Sequence, residues 1–154
     1  MEKYSMREVV EQAIQTEKLG NEFYTMMSAR FENDAKLKEL FETLAAKEVA
    51  HEKIFTGLKD KLGEEQVDNW DEAALYMRAV VESEFFLGNN KSLPSLEHLQ
   101  SIDDAVKFAM GFEKETLLYF YGLRDLVKEH EVINAIIDEE KSHLRWLSDF
   151  RKGL

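Results

Sequence analysis

The sequence predicts an all-α protein built as a four-helix bundle, with one long crossover between the second and third helices. The 154 residues include only one proline and seven glycines, which is sparse for a β-rich domain with its many turns. Four long segments carry apolar side chains at helical spacing. Within each half of the chain only three or four residues join two helices, whereas roughly forty residues separate the halves. The length suits one domain over residues 1–154.

The first two predicted helices form the N-terminal half. The first spans about Ser5–Arg30, with Ser5 as its N-cap, and the second spans about Asp34–Leu62, where Gly63 ends it. The short link between them requires antiparallel packing.

The crossover occupies about residues 64–101 and separates the two halves. A short helix is expected over Asp71–Leu87, ended by the turn-forming run Gly88-Asn89-Asn90. The third long helix starts near Ser101, and the fourth occupies about Glu131–Lys152. A connection of this length can carry the chain from one end of a bundle to the other.

Charge and cysteine content exclude several classes of function. Lysine and arginine number 20 against 31 aspartates and glutamates, a net charge of −11, which disfavours nucleic acid and anionic membranes as partners. Cysteine is absent, which excludes disulfides, thiolate nucleophiles and iron–sulfur sites. No segment reaches the ~18 apolar residues of a membrane span, and the charged start lacks the apolar run of a signal peptide. We therefore expect a cytoplasmic protein.

An acidic or imidazole side chain interrupts each of the four apolar stripes. Burying a bare carboxylate is costly unless the group is paired or bound to a metal ion. Six ionisable groups are thus predicted to point into one core: Glu17, Glu48, His51, Glu113, Glu140 and His143.

The spacing of these groups favours a metal site. Two motifs, Glu48-x-x-His51 and Glu140-x-x-His143, set a carboxylate and an imidazole about 60° apart around a helix and one turn apart along it. Two such motifs, with a lone glutamate from each of the other helices, form the ligand set of di-iron and di-manganese carboxylate bundles. Four carboxylates also neutralise two divalent cations. Iron is the expected metal, although manganese and zinc accept the same ligands.

The motifs repeat between the two halves of the chain. Glu17 precedes the first Glu-x-x-His motif by 31 residues, and Glu113 precedes the second by 27. These matched positions imply a pseudo-twofold axis through the site. An aromatic pair also follows each lone glutamate: Phe23-Tyr24 and Tyr119-Phe120.

Some individual assignments have alternatives. Glu52 lies one turn from Glu48 and Glu139 one turn before His143, so either could replace a neighbouring glutamate on a slightly rotated helix. Further rotation would place all the acids at the rim, paired with lysines. The repeat favours Glu48 and Glu140.

Nearby aromatic residues have simpler interpretations. Tyr24 either fills the core or donates a hydrogen bond to a ligand. Trp70 and Trp146 are expected to be packing anchors.

Four segments resemble the helical motifs of the rubrerythrin branch of the ferritin-like superfamily: AIQTEKLGNEFY, LAAKEVAHEKIF, FAMGFEKETLLYFY and IIDEEKSHLRWL. The resemblance covers nearly the whole chain, least clearly the crossover. It implies a ferritin-like bundle with a non-haem di-iron centre. The four glutamates would be carboxylate ligands, some of them bridging, and His51 and His143 would be terminal ligands.

Two departures from the family pattern narrow the resemblance. Full-length rubrerythrins carry a cysteine-ligated rubredoxin-like iron domain, which a chain without cysteine cannot form. They also place a second glutamate three residues after the third-helix ligand, where it takes part in a redox-dependent exchange of ligands. That position here is Thr116. The shorter rubrerythrin-related proteins, which lack both features, are the closer match.

The resemblance implies an oxidoreductase of oxidative-stress defence that reacts with hydrogen peroxide or dioxygen. An external electron donor would reload the two irons, because the chain has no electron-carrier site. The alternatives are an iron-handling protein of the ferroxidase type and a structural module stabilised by metal. A homodimer is the expected assembly, with no nucleic-acid or membrane partner.

Overall fold

The computed structural model describes residues 6–62, residues 95–154 and, within the crossover, Glu72, Leu75, Tyr76 and Ala79. In these parts of the chain the ordered elements are four long helices and no strand, which confirms the predicted all-α bundle. The helices are α1 (Met6–Arg30), α2 (Ala35–Lys61), α3 (Ile102–Leu126) and α4 (His130–Lys152).

Part of the predicted detail falls outside the described residues. It comprises the Ser5 cap, the Gly63 stop, Trp70 and most of the short helix over Asp71–Leu87 with its Gly88-Asn89-Asn90 end. The four described crossover residues are helical. The hydroxyl of Tyr76 donates to the carbonyl of Leu118, 3.1 Å away, so this part of the crossover lies against α3.

Side-chain caps define where two of the helices begin. The Asp34 carboxylate accepts a hydrogen bond from the Leu37 amide (3.0 Å) at the start of α2. The Ser101 hydroxyl accepts one from the Asp104 amide (3.0 Å) at the start of α3. Each cap satisfies a backbone donor that the first turn of a helix leaves unpaired. The α4 helix begins at His130, one residue earlier than predicted, and has no side-chain cap.

The four helices pack as two antiparallel pairs. Residues 31–34 join α1 to α2, and residues 127–129 join α3 to α4. Each helix packs most extensively on its hairpin partner, and the two hairpins meet along α1 with α3 and along α2 with α4. In the described parts of the chain, none of these helices combines the length and apolar character needed to cross a bilayer.

The core consists of two apolar clusters with a polar layer between them. The first cluster includes Val10, Phe55, Phe120 and Ile136, and the second includes Tyr24, Phe41, Phe112 and Leu147. All four helices contribute to both clusters, and the buried ionisable residues of each helix lie between its two contributions. The polar layer is therefore at mid-bundle, with apolar packing on both sides.

Close packing beside this layer explains a glycine in the middle of α1. A Cβ atom at Gly20 would lie 2.9 Å from Cε1 of the Phe112 ring and 3.0 Å from the carboxyl carbon of Glu48. Both side chains are fully buried, so neither can swing into solvent. Glycine at this position lets α1 approach the layer closely.

We predict opposite effects for two glycine-to-alanine substitutions. Gly20→Ala should destabilise the protein by about 1–3 kcal/mol, because the added methyl overpacks the core against Phe112. Gly57→Ala is the matched control, since a Cβ atom there meets nothing within 4 Å. It should stabilise the protein by roughly 1 kcal/mol through helix propensity alone. Urea unfolding of both variants measures the difference, and a Gly20→Ala protein as stable as Gly57→Ala would contradict this account of the packing.

Candidate metal centre

The polar layer brings together all six side chains singled out from the sequence. Each is fully buried: Glu17, Glu48, His51, Glu113, Glu140 and His143. They form two overlapping groups in which the candidate ligand atoms lie within 4.8 Å of one another. The first group is Glu17, Glu48, His51 and Glu140, and the second is Glu48, Glu113, Glu140 and His143.

The overlap gives two adjacent groups, each of which could hold a metal ion. Glu48 and Glu140 belong to both groups, as bridging carboxylates of a two-metal centre would. The Glu17 position is completed by Glu17 and His51, and the Glu113 position by Glu113 and His143.

The geometry of the imidazoles follows the pseudo-twofold axis that the sequence repeat implies. Nδ1 of His51 lies 3.6 Å from Oε1 of Glu17, and Nδ1 of His143 lies 3.6 Å from Oε1 of Glu113. The two rings stack with their centroids 5.9 Å apart and their planes 16° from parallel. In each half, therefore, Nδ1 faces the lone glutamate.

Several carboxylate oxygens in the layer lack a hydrogen-bond partner. They are both oxygens of Glu17, both of Glu48 and Oε2 of Glu113. A buried polar atom without a partner costs free energy, and a buried charge costs more. Oxygen and imidazole nitrogen ligands in this number fit divalent first-row transition metals. A pair of such cations would satisfy the unpartnered oxygens and cancel four negative charges.

Glu140 is the central hydrogen-bond acceptor of the layer. Its Oε1 lies 2.9 Å from Nδ1 of His51, and its Oε2 lies 3.1 Å from Nδ1 of His143. The outer edges of the two rings differ. Nε2 of His51 lies 2.5 Å from Oε2 of Glu139, whereas Nε2 of His143 has no hydrogen-bond partner.

Two aromatic residues contact the centre. The hydroxyl of Tyr24 donates a hydrogen bond to Oε1 of Glu113 at 2.6 Å, so Tyr24 takes the donor role considered from the sequence. The ring of Trp146 lies 5.4 Å from the His143 ring and is 39 % exposed. Trp146 therefore lies between the centre and the surface. The sequence predicts only a packing role for it.

Neither alternative ligand joins the two groups. Glu52 is half-buried at the edge of the bundle beside Lys18, with 3.9 Å between the charged atoms. Glu139 is 49 % exposed and contacts the outer edge of His51 instead of the interior of the layer. The sequence does not predict this contact with His51. The only signal is that Glu139 directly precedes Glu140. Thr116 is buried, belongs to neither group, and has no hydrogen-bond partner for its hydroxyl.

In the polypeptide without metal, the pKa values of the carboxyl groups in the layer are shifted in opposite directions. Burial raises the pKa values of Glu17, Glu48 and Glu113 well above the usual range, and the charge of Glu140 adds to the effect. Burial also raises the pKa of Glu140, but hydrogen bonds with Glu113, His143 and His51 outweigh it and lower this pKa overall. Burial therefore favours the protonated form of Glu17, Glu48 and Glu113, whereas the hydrogen bonds of Glu140 favour its ionised form.

Both imidazoles hold their protons tightly. Burial lowers the pKa of each ring, but hydrogen bonds to carboxylates outweigh this effect. The result is a pKa of about 9 for His51, chiefly through Glu140, and of about 10 for His143, through Glu113 and Glu140. A metal ion must displace these protons to bind.

We predict that chelation lowers the melting temperature and that the loss grows from pH 6 to pH 8. In this window the chelated folded state binds more protons than the unfolded chain, because three glutamates and both histidines have raised pKa values. Its stability must therefore fall as the pH rises, by up to about 1.4 kcal/mol per pH unit for each extra proton. Glu140 is ionised in both states and contributes no slope.

The metal-loaded protein should not show this slope, because bound ligands are deprotonated and metal affinity rises with pH. Calorimetric melting of loaded and chelated protein at pH 6, 7 and 8 measures the gap. Equal melting temperatures across the range, or a gap that narrows with pH, would refute the prediction.

One solved structure is similar to this protein over almost the whole chain. The chain is similar in structure to a crystal structure from Thermotoga maritima described as a ferritin-like diiron-carboxylate protein. The TM-score is 0.72 at 23 % sequence identity, and the match covers 99 % of this chain and 97 % of the other. This similarity establishes a shared fold. A search of curated proteins finds no match.

The family assignment rests on a match to the sequence of this chain. A sequence model of the Rubrerythrin family matches residues 8–151, which include all four helices except the first two residues of α1 and the last residue of α4. The chain therefore belongs to the rubrerythrin family.

Proposed function

We propose that the protein is a cytoplasmic oxidoreductase that binds two iron ions and reduces hydrogen peroxide or dioxygen in oxidative-stress defence. The observation that carries the proposal is the pair of overlapping ligand groups sharing Glu48 and Glu140. Membership of the rubrerythrin family supports it, as does the description of the structural neighbour as a diiron-carboxylate protein.

The ligand set suits a metal that changes its oxidation state. Carboxylates stabilise both ferrous and ferric iron, and shared carboxylates can change their binding mode as charge accumulates. Zinc accepts the same ligands but has no redox chemistry. Four carboxylates balance the charge of two divalent cations of either metal, so the capacity for redox chemistry is what favours iron.

The chemistry requires two electrons and two protons for each peroxide. Two ferrous ions held by the layer would supply the two electrons that cleave the oxygen–oxygen bond, giving two waters. With dioxygen, a first pair of electrons and protons gives hydrogen peroxide, and a second pair from the external donor reduces it to two waters.

The protein environment positions the centre and controls its access to water. All six candidate ligands are buried between apolar clusters, so bulk water is kept from the layer. The Tyr24 hydroxyl donates to Glu113 and fixes the orientation of that carboxylate. The unpartnered hydroxyl of Thr116 lies one helical turn from Glu113 and offers a hydrogen-bond donor to a small molecule.

We propose an external electron donor, because the chain has no cysteine with which to hold an iron–sulfur or rubredoxin-type centre. Trp146 contacts the His143 ring and is partly exposed, so it offers a path from the surface to the centre. A homodimer remains the proposed assembly.

We predict that hydrogen peroxide oxidises the iron-loaded, reduced protein at one peroxide per two ferrous ions. Stopped-flow absorbance in the near-ultraviolet follows the reaction. Glu48→Gln should abolish this stoichiometry by removing a shared ligand. Glu52→Gln, the same change one turn along α2 at a half-buried residue outside both ligand groups, should leave it intact.

Two results would contradict this proposal. Iron that binds but does not react would favour a structural site. A cage-sized particle by light scattering, with mineral inside, would favour iron storage.

The absence of a carboxylate at position 116 leads to a further prediction. Threonine is too short and too weak a ligand to follow an iron through its redox change. We therefore expect slow peroxide turnover by the wild type and faster turnover by Thr116→Glu, in assays with a saturating artificial donor. Iron content and melting temperature are measured on both proteins, so that misfolding is separated from slow chemistry. A Glu variant that folds, binds two irons and turns over no faster would exclude Thr116 as the limiting residue.

A further inference from the structure

We propose that the two metal positions are unequal, and that the Glu17 position binds its ion more tightly than the Glu113 position. One ion would then be resident, while the other exchanges more readily. The inference rests on the proposed function in that it assumes a centre for two ions. It is carried by two differences between halves that are otherwise matched.

The first difference concerns the outer edges of the imidazoles. Nε2 of His51 lies 2.5 Å from the Glu139 carboxylate, while Nε2 of His143 has no hydrogen-bond partner. Under the pseudo-twofold axis, the residue matching Glu139 is Lys47, because each directly precedes the glutamate of its Glu-x-x-His motif. A lysine cannot accept a hydrogen bond from an imidazole.

A carboxylate on the outer nitrogen affects metal binding through the ring. It fixes the tautomer and the orientation of the imidazole, and it raises the basicity of the inner nitrogen. Nδ1 of His51 already points inward, 3.6 Å from Glu17 and 2.9 Å from Glu140. Glu139 is therefore a positioning residue for the Glu17 position alone. Removal of such a partner elsewhere costs about 10- to 100-fold in metal affinity.

The second difference concerns the lone glutamates. Oε1 of Glu113 accepts a hydrogen bond from the Tyr24 hydroxyl at 2.6 Å, whereas neither oxygen of Glu17 has a hydrogen-bond partner. The residue matching Tyr24 in the other half is Phe120, which has no hydroxyl. By donating to Oε1, the tyrosine withdraws electron density from the Glu113 carboxylate and lowers its basicity as a ligand. The Glu113 position is thereby weakened.

Both differences favour the same position. Glu139 strengthens the histidine of the Glu17 position, and Tyr24 weakens the carboxylate of the Glu113 position. The two effects therefore add, and both increase the difference in metal affinity between the two positions.

Titration of the full-length chelated protein with cobalt(II), followed by calorimetry and visible absorbance, tests the inference. The wild type should take up two ions, the first at least about tenfold more tightly than the second. Repulsion between two cations would also separate the steps, so the location of the first ion decides the question. Anomalous scattering from crystals with one equivalent of cobalt should place it beside His51, not His143.

Variants assign the inequality to the two residues. Glu139→Ala should weaken the first step by about 10-fold or more, with Glu139→Gln in between because its amide oxygen can still accept. Asp138→Ala, which also removes an exposed acid from α4, is the matched control and should change neither step. Tyr24→Phe should tighten the second step. Tyr119→Phe, which loses a buried hydroxyl bonded to the Val9 carbonyl, should not.

Three results would overturn the inference: cobalt divided equally between the positions, cobalt beside His143, or equal effects of Glu139→Ala and Asp138→Ala on the first step. Two ions bound with equal affinity would leave the proposed function standing. A protein that binds no cobalt and no iron would overturn both.

Discussion

Repulsion among four buried glutamates is the constraint on which the rest of the structure depends. Glu17, Glu48, Glu113 and Glu140 share one layer at mid-bundle, and apolar side chains close it on both sides. Without cations, the pKa values of three carboxyls and both imidazoles are raised, which favours their protonated forms. Two metal ions would remove the repulsion and satisfy the unpartnered oxygens together. The surrounding core is therefore built around carboxylates that can all be ionised together only when cations are bound.

The fold and the residues of the buried polar layer could be predicted because both depend on local periodicity. Short links define the antiparallel pairs, and Asp34 and Ser101 cap helices where the sequence indicates starts. The six ionisable residues were found because each interrupts an apolar stripe at helical spacing. The repeat favours Glu48 over Glu52, and in the structure Glu48 lies in the layer whereas Glu52 is half-buried outside it beside Lys18.

Contacts between helices could not be derived in the same way. The sequence marks Glu139 as a neighbour of Glu140, but its contact with His51 depends on the separation of α2 and α4. The sequence leaves Tyr24 either as core filler or as a hydrogen-bond donor. The choice depends on the position of α1 relative to α3, which brings the hydroxyl of Tyr24 to Glu113. The need for glycine at position 20 depends on where the Phe112 ring lies, which is again a matter of interhelical distance.

The two halves match at the candidate ligands and differ in the residues around them. Lys47 corresponds to Glu139, Phe120 to Tyr24 and Gly20 to Thr116. A nearly symmetric ligand set could thus hold two ions in different surroundings. A reaction in which the two ions have different roles would require such a difference.

The central claim is that the layer holds two metal ions bridged by Glu48 and Glu140. Anomalous scattering at the iron edge, from crystals loaded with excess ferrous iron, tests it most directly. The account predicts two ions per chain about 3.5–4 Å apart, both in contact with these two glutamates. A single ion, or two ions without a shared carboxylate, would contradict it.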